Sequence, residues 1–370
     1  MIIAIDASKV AKTHMTGTEY YSLQIILGLA RIDRKNQYIL YSPKPIYNRL
    51  GDLPQNFKIK VIPFPKLWSQ IRLSMEILKK PKVDVWFFPA HTIPIIAPKN
   101  SVVTLHDLGF KYFPELYTPF ERFYHNWCMN FSVKHAGKII AISNFTKQDL
   151  INHYPKANTQ KIEVIYHGYD KESYRKLKTG ENEDRPMEDK YFFFIGRIEK
   201  KKNIINLIEA FKLLLKERDI DHKLVLAGNP GYGYEEIKEK IETLPSKVKN
   251  NIIELGYVKG EDVPRWMRHS EAFVFPSNFE GFGMPIIEAM ACGTPVIASN
   301  NTSIPEVAGD AAILVNNKKP FEIAAAMSKI IHNSRERYRL ISLGKDRASE
   351  FSWDKCAQDT LKVIESAQQN

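Results

Sequence analysis

Cysteine is scarce in this chain, with three in 370 residues at positions 128, 292 and 356. They are isolated and share no metal-ligand spacing, which excludes a disulfide framework or a zinc module and fits a reducing compartment. Long apolar runs are missing too, and no stretch approaches the roughly 20 residues of a membrane span. The opening MIIAIDASKV reads as a first strand without the basic-then-apolar layout of a secretory signal, so the expected location is cytoplasmic. Low-complexity segments and repeats of solenoid period are lacking, and the length suffices for two domains with sizeable cores. An acidic excess is absent from either half. The formal net charge is +11, and residues 1–169 hold 22 Lys and Arg against 11 Asp and Glu, whereas residues 170–370 hold 31 of each. All of the excess therefore lies in the first half. It suits an anionic membrane surface, a lipid-phosphate acceptor or nucleic acid, and ordinary solubilising charge gives the same count.

What is present is alternation. Strand-like runs (MIIAIDA, QYILYS, KIKVIPF, VDVWFFP, SVVTLHD, KIIAIS, KIEVIYHG) interleave with helix-length segments such as TEYYSLQIILGLARI, a pattern that predicts a wound, mostly parallel sheet. Residues 171–190, KESYRKLKTGENEDRPMEDK, carry almost no large apolar side chain and read as a linker. The pattern then restarts with YFFFIG, the amphipathic NIINLIEAFKLLLKE capped by Asn203, KLVLAG, NIIELGYV, AFVFPS and TPVIAS. The expected organisation is an α/β protein with two Rossmann-like domains, 1–170 and 191–350, and a cleft between them. A final helix within 351–370 is expected to pack back toward the first domain.

AFVFPS, 272–277, predicts a buried strand, and the segment SNFEGFGMPIIEAMACGTPVIASN, 277–300, continues it with a loop holding Gly281 and Gly283, a short helix opening at Pro285 and ending at Gly293, and another strand. A helix start offers unpaired N–H groups to a phosphate. Glu280 in the loop and Glu288, placed in the helix's first turn, suit the hydroxyl-rich ends of a ligand with phosphate in its middle, such as a nucleotide sugar. Taken alone, Glu288 reads as a residue stabilising the helix dipole and Glu280 as a solvated loop charge. The pair could also serve a glycosidase, which needs no phosphate seat and no neighbouring cations. Cations are supplied by FIGRIEKKKNI, where Arg197 and Lys202 follow a strand at the edge that faces ligands in wound sheets.

The spacing of Glu280 and Glu288 within FEGFGMPIIEAMACGTPVIA, together with GRIEKKKN, resembles the retaining family-4 glycosyltransferases of the GT-B fold. Further agreement in the same order runs through AISNFTKQDL, VIYHGYD, LAGNPG, LGYV and FSW. VVTLHDLGFKYFPE is similar to the mannosyltransferase branch. The resemblance implies that Arg197 and Lys202 neutralise a diphosphate leaving group, that Glu288 binds ribose hydroxyls and that Glu280 holds the donor sugar. It also implies a backbone cradle of Gly281, Phe282, Gly283 and Met284, with Gly196, Gly228, Tyr257 and Val258 at the donor. His106 and Asp107 would face the reacting sugar. Gly17 and Thr18 fall where the family has its first glycine loop, although TGTEYY departs from the commoner Gly-x-Gly-Arg.

The activity so implied is metal-independent transfer with retention, most simply of mannose from GDP-mannose as co-substrate, without a cofactor. The acceptor would be a glycan or lipid-linked glycan in cell-surface polysaccharide biosynthesis. No covalent nucleophile is assignable, and front-face departure and attack is the implied route. A UDP-sugar transferase, a nucleotide-sugar epimerase or a basic binding module are the alternatives. No nucleic-acid partner is expected. Asp219-Ile220-Asp221 reads as a turn rather than a metal site, Gly231-Tyr232-Gly233 is too short a signal for a dinucleotide, and the ten histidines show no cluster along the sequence. KLWSQIRLSMEILKKPK, 66–82, places Trp68, Ile71, Met75 and Leu78 at helical spacing among Lys66, Arg72, Lys79, Lys80 and Lys82. It fits an anionic membrane on the inner face of the cell, or a surface helix.

Overall fold

A computed structural model of the protein describes residues 1–13, 15–177, 181–217 and 220–369. The chain divides into two compact units, Met1–Gly168 with Ser352–Asn370, and Tyr169–Phe351. Among the described residues, the first unit holds seven strands: β1 (Ile2–Asp6), β2 (Gln37–Ser42), β3 (Phe57–Val61), β4 (Val85–Phe88), β5 (Ser101–Leu105), β6 (Lys138–Ala141) and β7 (Ile162–Val164). Their spatial order is β3-β2-β1-β4-β5-β6-β7, all parallel. The second unit holds β8 (Lys190–Ile195), β9 (His222–Ala227), β10 (Ile252–Gly256), β11 (Ala272–Phe275), β12 (Val296–Ser299) and β13 (Ala312–Val315). These run in the order β10-β9-β8-β11-β12-β13, again all parallel. The expected α/β class with two wound parallel sheets is what the protein has.

Burial explains why the apolar runs become central strands. β4, β5, β11 and β12 are buried at every residue because helices cover both faces of a parallel sheet. At the edge, β3 alternates buried or half-buried residues with exposed Lys58 and Lys60, and those lysines blunt an otherwise open strand. In the second unit Phe192, Phe193, Phe194, Phe273 and Phe275 are at most 1 % exposed, and the rings of Phe194 and Phe275 stack at 6.0 Å. Each buried phenyl contributes about 1.5–3 kcal/mol. Their packing clamps β8 against β11, the pair whose outgoing loops form the site described below.

The final helix, Trp353–Ser366, lies on the first helix, Gly17–Ile32. Gly28 permits the close approach: a Cβ there would stand 2.8 Å from Cβ of Ala357 and 3.2 Å from the Trp353 carbonyl oxygen. Ser352 caps the final helix by accepting from the Lys355 N–H at 3.0 Å.

Three local expectations are corrected. The 66–82 stretch is helical only over Arg72–Leu78. Trp68 does not share a face with Ile71, Met75 and Leu78; it is buried and donates Nε1–H to the Ile62 carbonyl at 2.7 Å, while the other three stay exposed. Glu76 turns inward and gathers Lys60, Arg72 and Lys79, so part of the apparent basic face is already neutralised. Asn203 adopts left-handed φ (+60°) ahead of the Ile204–Glu217 helix and sends Nδ2–H to the Asn317 carbonyl at 2.6 Å, so its amide ties two loops together. Within the 171–190 segment, Arg268 grips Glu183 at 2.6 Å and donates to the Ser173 and Arg175 carbonyls, which fastens these residues to the second unit. Residues 178–180 of that segment lie outside the described residues.

Candidate active site

Parallel wound sheets bind ligands at the carboxyl ends of their strands, where the strand order reverses. In the second unit that point falls between β8 and β11. The loop leaving β8 carries Gly196, Arg197 and the Lys200–Lys202 turn; the loop leaving β11 carries Glu280 to Met284. Two segments whose paired residues, Lys202 and Glu280, are 78 positions apart in sequence, each singled out by its own motif, are thus delivered to one place. Lys202 Nζ lies 2.5 Å from Glu280 Oε1, with both side chains largely buried. In this state the lysine that the resemblance assigns to a diphosphate is neutralising the glutamate assigned to the donor sugar.

The cation loop is held by its neighbour. Ile198 N–H donates to the Asn229 carbonyl at 3.0 Å, Gly231 N–H to the Ile198 carbonyl at 2.9 Å and Lys200 N–H to the Tyr232 carbonyl at 3.0 Å. Gly196, Gly228 and Gly256, at the ends of β8, β9 and β10, all take positive φ (+149°, +139° and +66°). A Cβ on Gly228 would meet the Gly196 carbonyl oxygen at 1.8 Å, so only glycine lets these turns nest. Gly228 N–H also reaches the Gly256 carbonyl at 2.7 Å, which brings the start of Tyr257-Val258 to the same edge; the Tyr257 side chain is exposed. A Cβ on Gly231 would lie 2.6 Å from Cγ and Cδ of Arg197. The Gly-Tyr-Gly turn is therefore the floor under the arginine stem, and Arg197 itself remains exposed with no ion-pair partner among the described residues.

The glutamate loop is laced by residues that sequence reasoning passed over. Ser303 Oγ donates to the Glu280 and Phe282 carbonyls at 2.9 and 3.0 Å, and Asn317 Nδ2 to Asn278 Oδ1 at 2.7 Å. Asn278 N–H reaches the Lys201 carbonyl at 2.9 Å. The available signal was positional: Ser303 and Asn317 follow β12 and β13, on the same edge. Phe282 is buried edge-on against Phe351 at 5.8 Å, so only its backbone can belong to a cradle. Gly283, at φ +105°, precedes the Met284–Ala291 helix.

Glu288 departs from expectation. The helix begins at Met284 with Pro285 second, so Glu288 is in the second turn, beyond the reach of the helix-start charge. Burial, with the Asp170 carboxylate adding to it, pushes its carboxyl up to about 8. The protonated form is thereby favoured at neutral pH. Asp219, from the candidate metal turn, lies outside the described residues.

In the first unit the strand order reverses between β1 and β4. Gly17 and Thr18 form the first turn of the Gly17–Ile32 helix, where the Thr16 N–H and hydroxyl both donate to the Glu19 carboxylate. Lys9 Nζ stands 3.6 Å from Glu19. A capped helix start thus replaces the family's glycine loop. His106 and Asp107 follow β5. Asp107 Oδ1 accepts from the Gly109 N–H at 2.8 Å. The His106 ring is turned inward: Nε2–H donates to the Pro89 carbonyl at 2.9 Å, and burial depresses the imidazole to about 4, so it is neutral. Only its Nδ1 is left for a ligand.

The histidines, scattered in sequence, do gather here. His91 meets His106 edge-on and His167 lies tilted to it, at ring separations of 5.0 and 5.7 Å, with Tyr21 at 4.8 Å from both His106 and His167. Each histidine follows the carboxyl end of a strand, β4, β5 or β7, which is the signal that separation in sequence concealed.

Comparison with known proteins agrees with these observations. Residues 15–173 match the family described as Glycosyltransferase Family 4, and residues 176–347 match Glycosyl transferases group 1. O-antigen chain mannosyltransferase B of Escherichia coli is 26 % identical over 97 % of this chain and 98 % of its own. O-antigen chain mannosyltransferase RfbU of Salmonella typhimurium is 30 % identical over 61 % of this chain and 59 % of its own. Among solved structures, Anabaena HepE in complex with UDP and glucose superposes with a TM-score of 0.72 at 18 % identity, covering 99 % of each chain. The two family matches take up most of the sequence and the fold agrees, so the chain belongs to the glycosyltransferases, family 4 in its first unit and group 1 in its second.

Proposed function

We propose that the protein transfers mannose from GDP-mannose, with retention and without a metal, to a glycan or lipid-linked glycan acceptor in cell-surface polysaccharide biosynthesis. The observation that carries this reading is the seating of Arg197, the Lys202–Glu280 pair and the Gly281–Met284 loop at one switch point. The choice of mannose is supported by the near full-length similarity to an O-antigen mannosyltransferase.

Arg197 offers a planar fork and Lys202 a point charge to the diphosphate. A bound phosphate would share Lys202 with Glu280, freeing part of that carboxylate for a sugar hydroxyl. Glu288 accepts from ribose hydroxyls after giving up its proton. As the anomeric carbon–diphosphate bond breaks and the acceptor–carbon bond forms on the same face, negative charge grows on the departing oxygen, which takes the acceptor's proton. Fixed cations and amides aimed at that oxygen lower the barrier. In this reading the first unit selects the acceptor, with His106 and Asp107 at the carboxyl edge of its own sheet, and the second unit holds the donor.

A thermal-shift panel of GDP, UDP and ADP with their sugar conjugates tests the donor, because a ligand that binds only the folded state raises its melting temperature. Stabilisation by GDP and GDP-mannose is the expected result. A response confined to UDP compounds would keep the transferase and replace the donor; no response to any nucleotide would overturn the reading.

A further inference from the structure

The loop after β4 is the second lip of the first unit's switch point. At its centre His91 holds φ +45°, the left-handed region. A residue other than glycine is strained there, and such strain persists only where the surroundings impose it. They do so here: His91 N–H donates to the Thr104 carbonyl at 2.8 Å, and Ser132 Oγ donates to the His91 carbonyl at 3.0 Å. The ring meets His106 edge-on, and Nδ1 accepts the backbone N–H of His106 at 3.4 Å.

That last contact determines the tautomer. Burial first, and then the neighbouring His106, hold His91 far below an ordinary histidine; Lys9 and His125 push the same way and only Asp107 opposes them. A neutral imidazole whose Nδ1 accepts must carry its proton on Nε2. No described residue takes that Nε2–H, and the side chain is only half-buried. The strained backbone therefore aims one N–H donor, which cannot become an acceptor without breaking the contact to His106, beside Asp107 at the ligand-facing edge.

We propose that His91 is a substrate-contacting residue of this transferase, its Nε2–H donating to a hydroxyl of a sugar ring bound at the carboxyl edge of the first sheet. This rests on the reading that sugar transfer takes place beside His106 and Asp107. The donor positions a hydroxyl that does not react, since an N–H bond to the attacking oxygen would weaken the nucleophile.

His91→Asn separates the roles. Asparagine tolerates left-handed backbone, and its Oδ1 can still accept the His106 N–H, but it has no atom where Nε2 stood. The variant is expected to melt close to the unmodified protein and to lose about ten- to a hundredfold in kcat/KM. Deoxy sugars lacking one hydroxyl at a time then identify the contact. The sensitive analogue should slow the unmodified enzyme and have no further effect on His91→Asn, a coupling that a purely structural residue would not show. Undiminished turnover by His91→Asn while the unmodified protein is active would overturn the proposal alone. Absence of transfer by the unmodified protein from any nucleotide sugar would overturn the reading beneath it. A check independent of activity is the nitrogen-15 imidazole spectrum at pH 7: protonated Nε2 with unprotonated Nδ1 is expected, and the opposite tautomer or an imidazolium would refute the assignment.

Discussion

At the scale of single residues, the site sets side chains of one type in opposite states. Glu280 is paired with Lys202, whereas Glu288 is half-buried with no ion-pair partner among the described residues, and its carboxyl is pushed up to about 8. The raised value favours the folded, protonated form, so the stability it contributes is present below the ordinary carboxyl range and is lost as pH rises through about 8. Ligand binding runs the other way. Ribose hydroxyls donate to an ionised carboxylate, so binding expels the proton and nucleotide affinity should rise by up to about tenfold per pH unit below pH 8. Calorimetric titrations at pH 6, 7 and 8 should show that rise in the native protein and a flat profile in Glu288→Gln. Equal slopes would mean that Glu288 does not meet the ligand in its ionised form. Arg197 is exposed over a glycine floor, so Arg197→Ala should fold normally and slow transfer roughly a hundredfold, a loss of about 3 kcal/mol in transition-state stabilisation. Near-normal turnover would remove it from the leaving-group site.

Elements place these residues by packing. The stacked Phe194 and Phe275 fix β8 beside β11, and the cation and glutamate loops inherit that adjacency. The first and last helices depend on a missing side chain. Gly28 lets the Ala357 Cβ and the Trp353 carbonyl approach, and a valine there has no room. Gly28→Val should cost about 1–3 kcal/mol through overpacking. Ala357→Gly in the same chain should recover part of that loss, and denaturant melts of the two single variants and the double variant measure it. Additive losses would show that the two positions do not press on one another.

Over the whole molecule the basic excess is confined to the first half of the sequence, and all but the last 19 residues of the first unit come from there. Exposed Leu67, Ile71, Met75 and Leu78 lie among lysines in this unit, and a concave site of about 480 Å³ is lined by Lys99, Lys134, Lys138 and Lys161. Among the described residues no helix is long and apolar enough to cross a membrane. We propose that this unit rests on an anionic lipid surface, where a lipid-linked acceptor would be met. Sedimentation with anionic vesicles should carry down more protein than with neutral ones, and the difference should vanish at high salt. Equal binding to both would count against it.

Sequence periodicity determined the two wound α/β units, because a strand buried on both faces must be apolar throughout and a following helix must be amphipathic. The motifs after β8 and β11 were legible for a related reason: glycines and charges at strand ends are local demands. Tertiary structure alone decided the partners. It set Lys202 against Glu280, Arg197 over Gly231, Ser303 and Asn317 behind the loop, and His91 against His106, pairs brought together by strand order across tens of residues. It also decided ionisation, since the proton on Glu288 comes from the low-dielectric surroundings that folding builds around it, and nothing in the eight-residue spacing of the two glutamates encodes that.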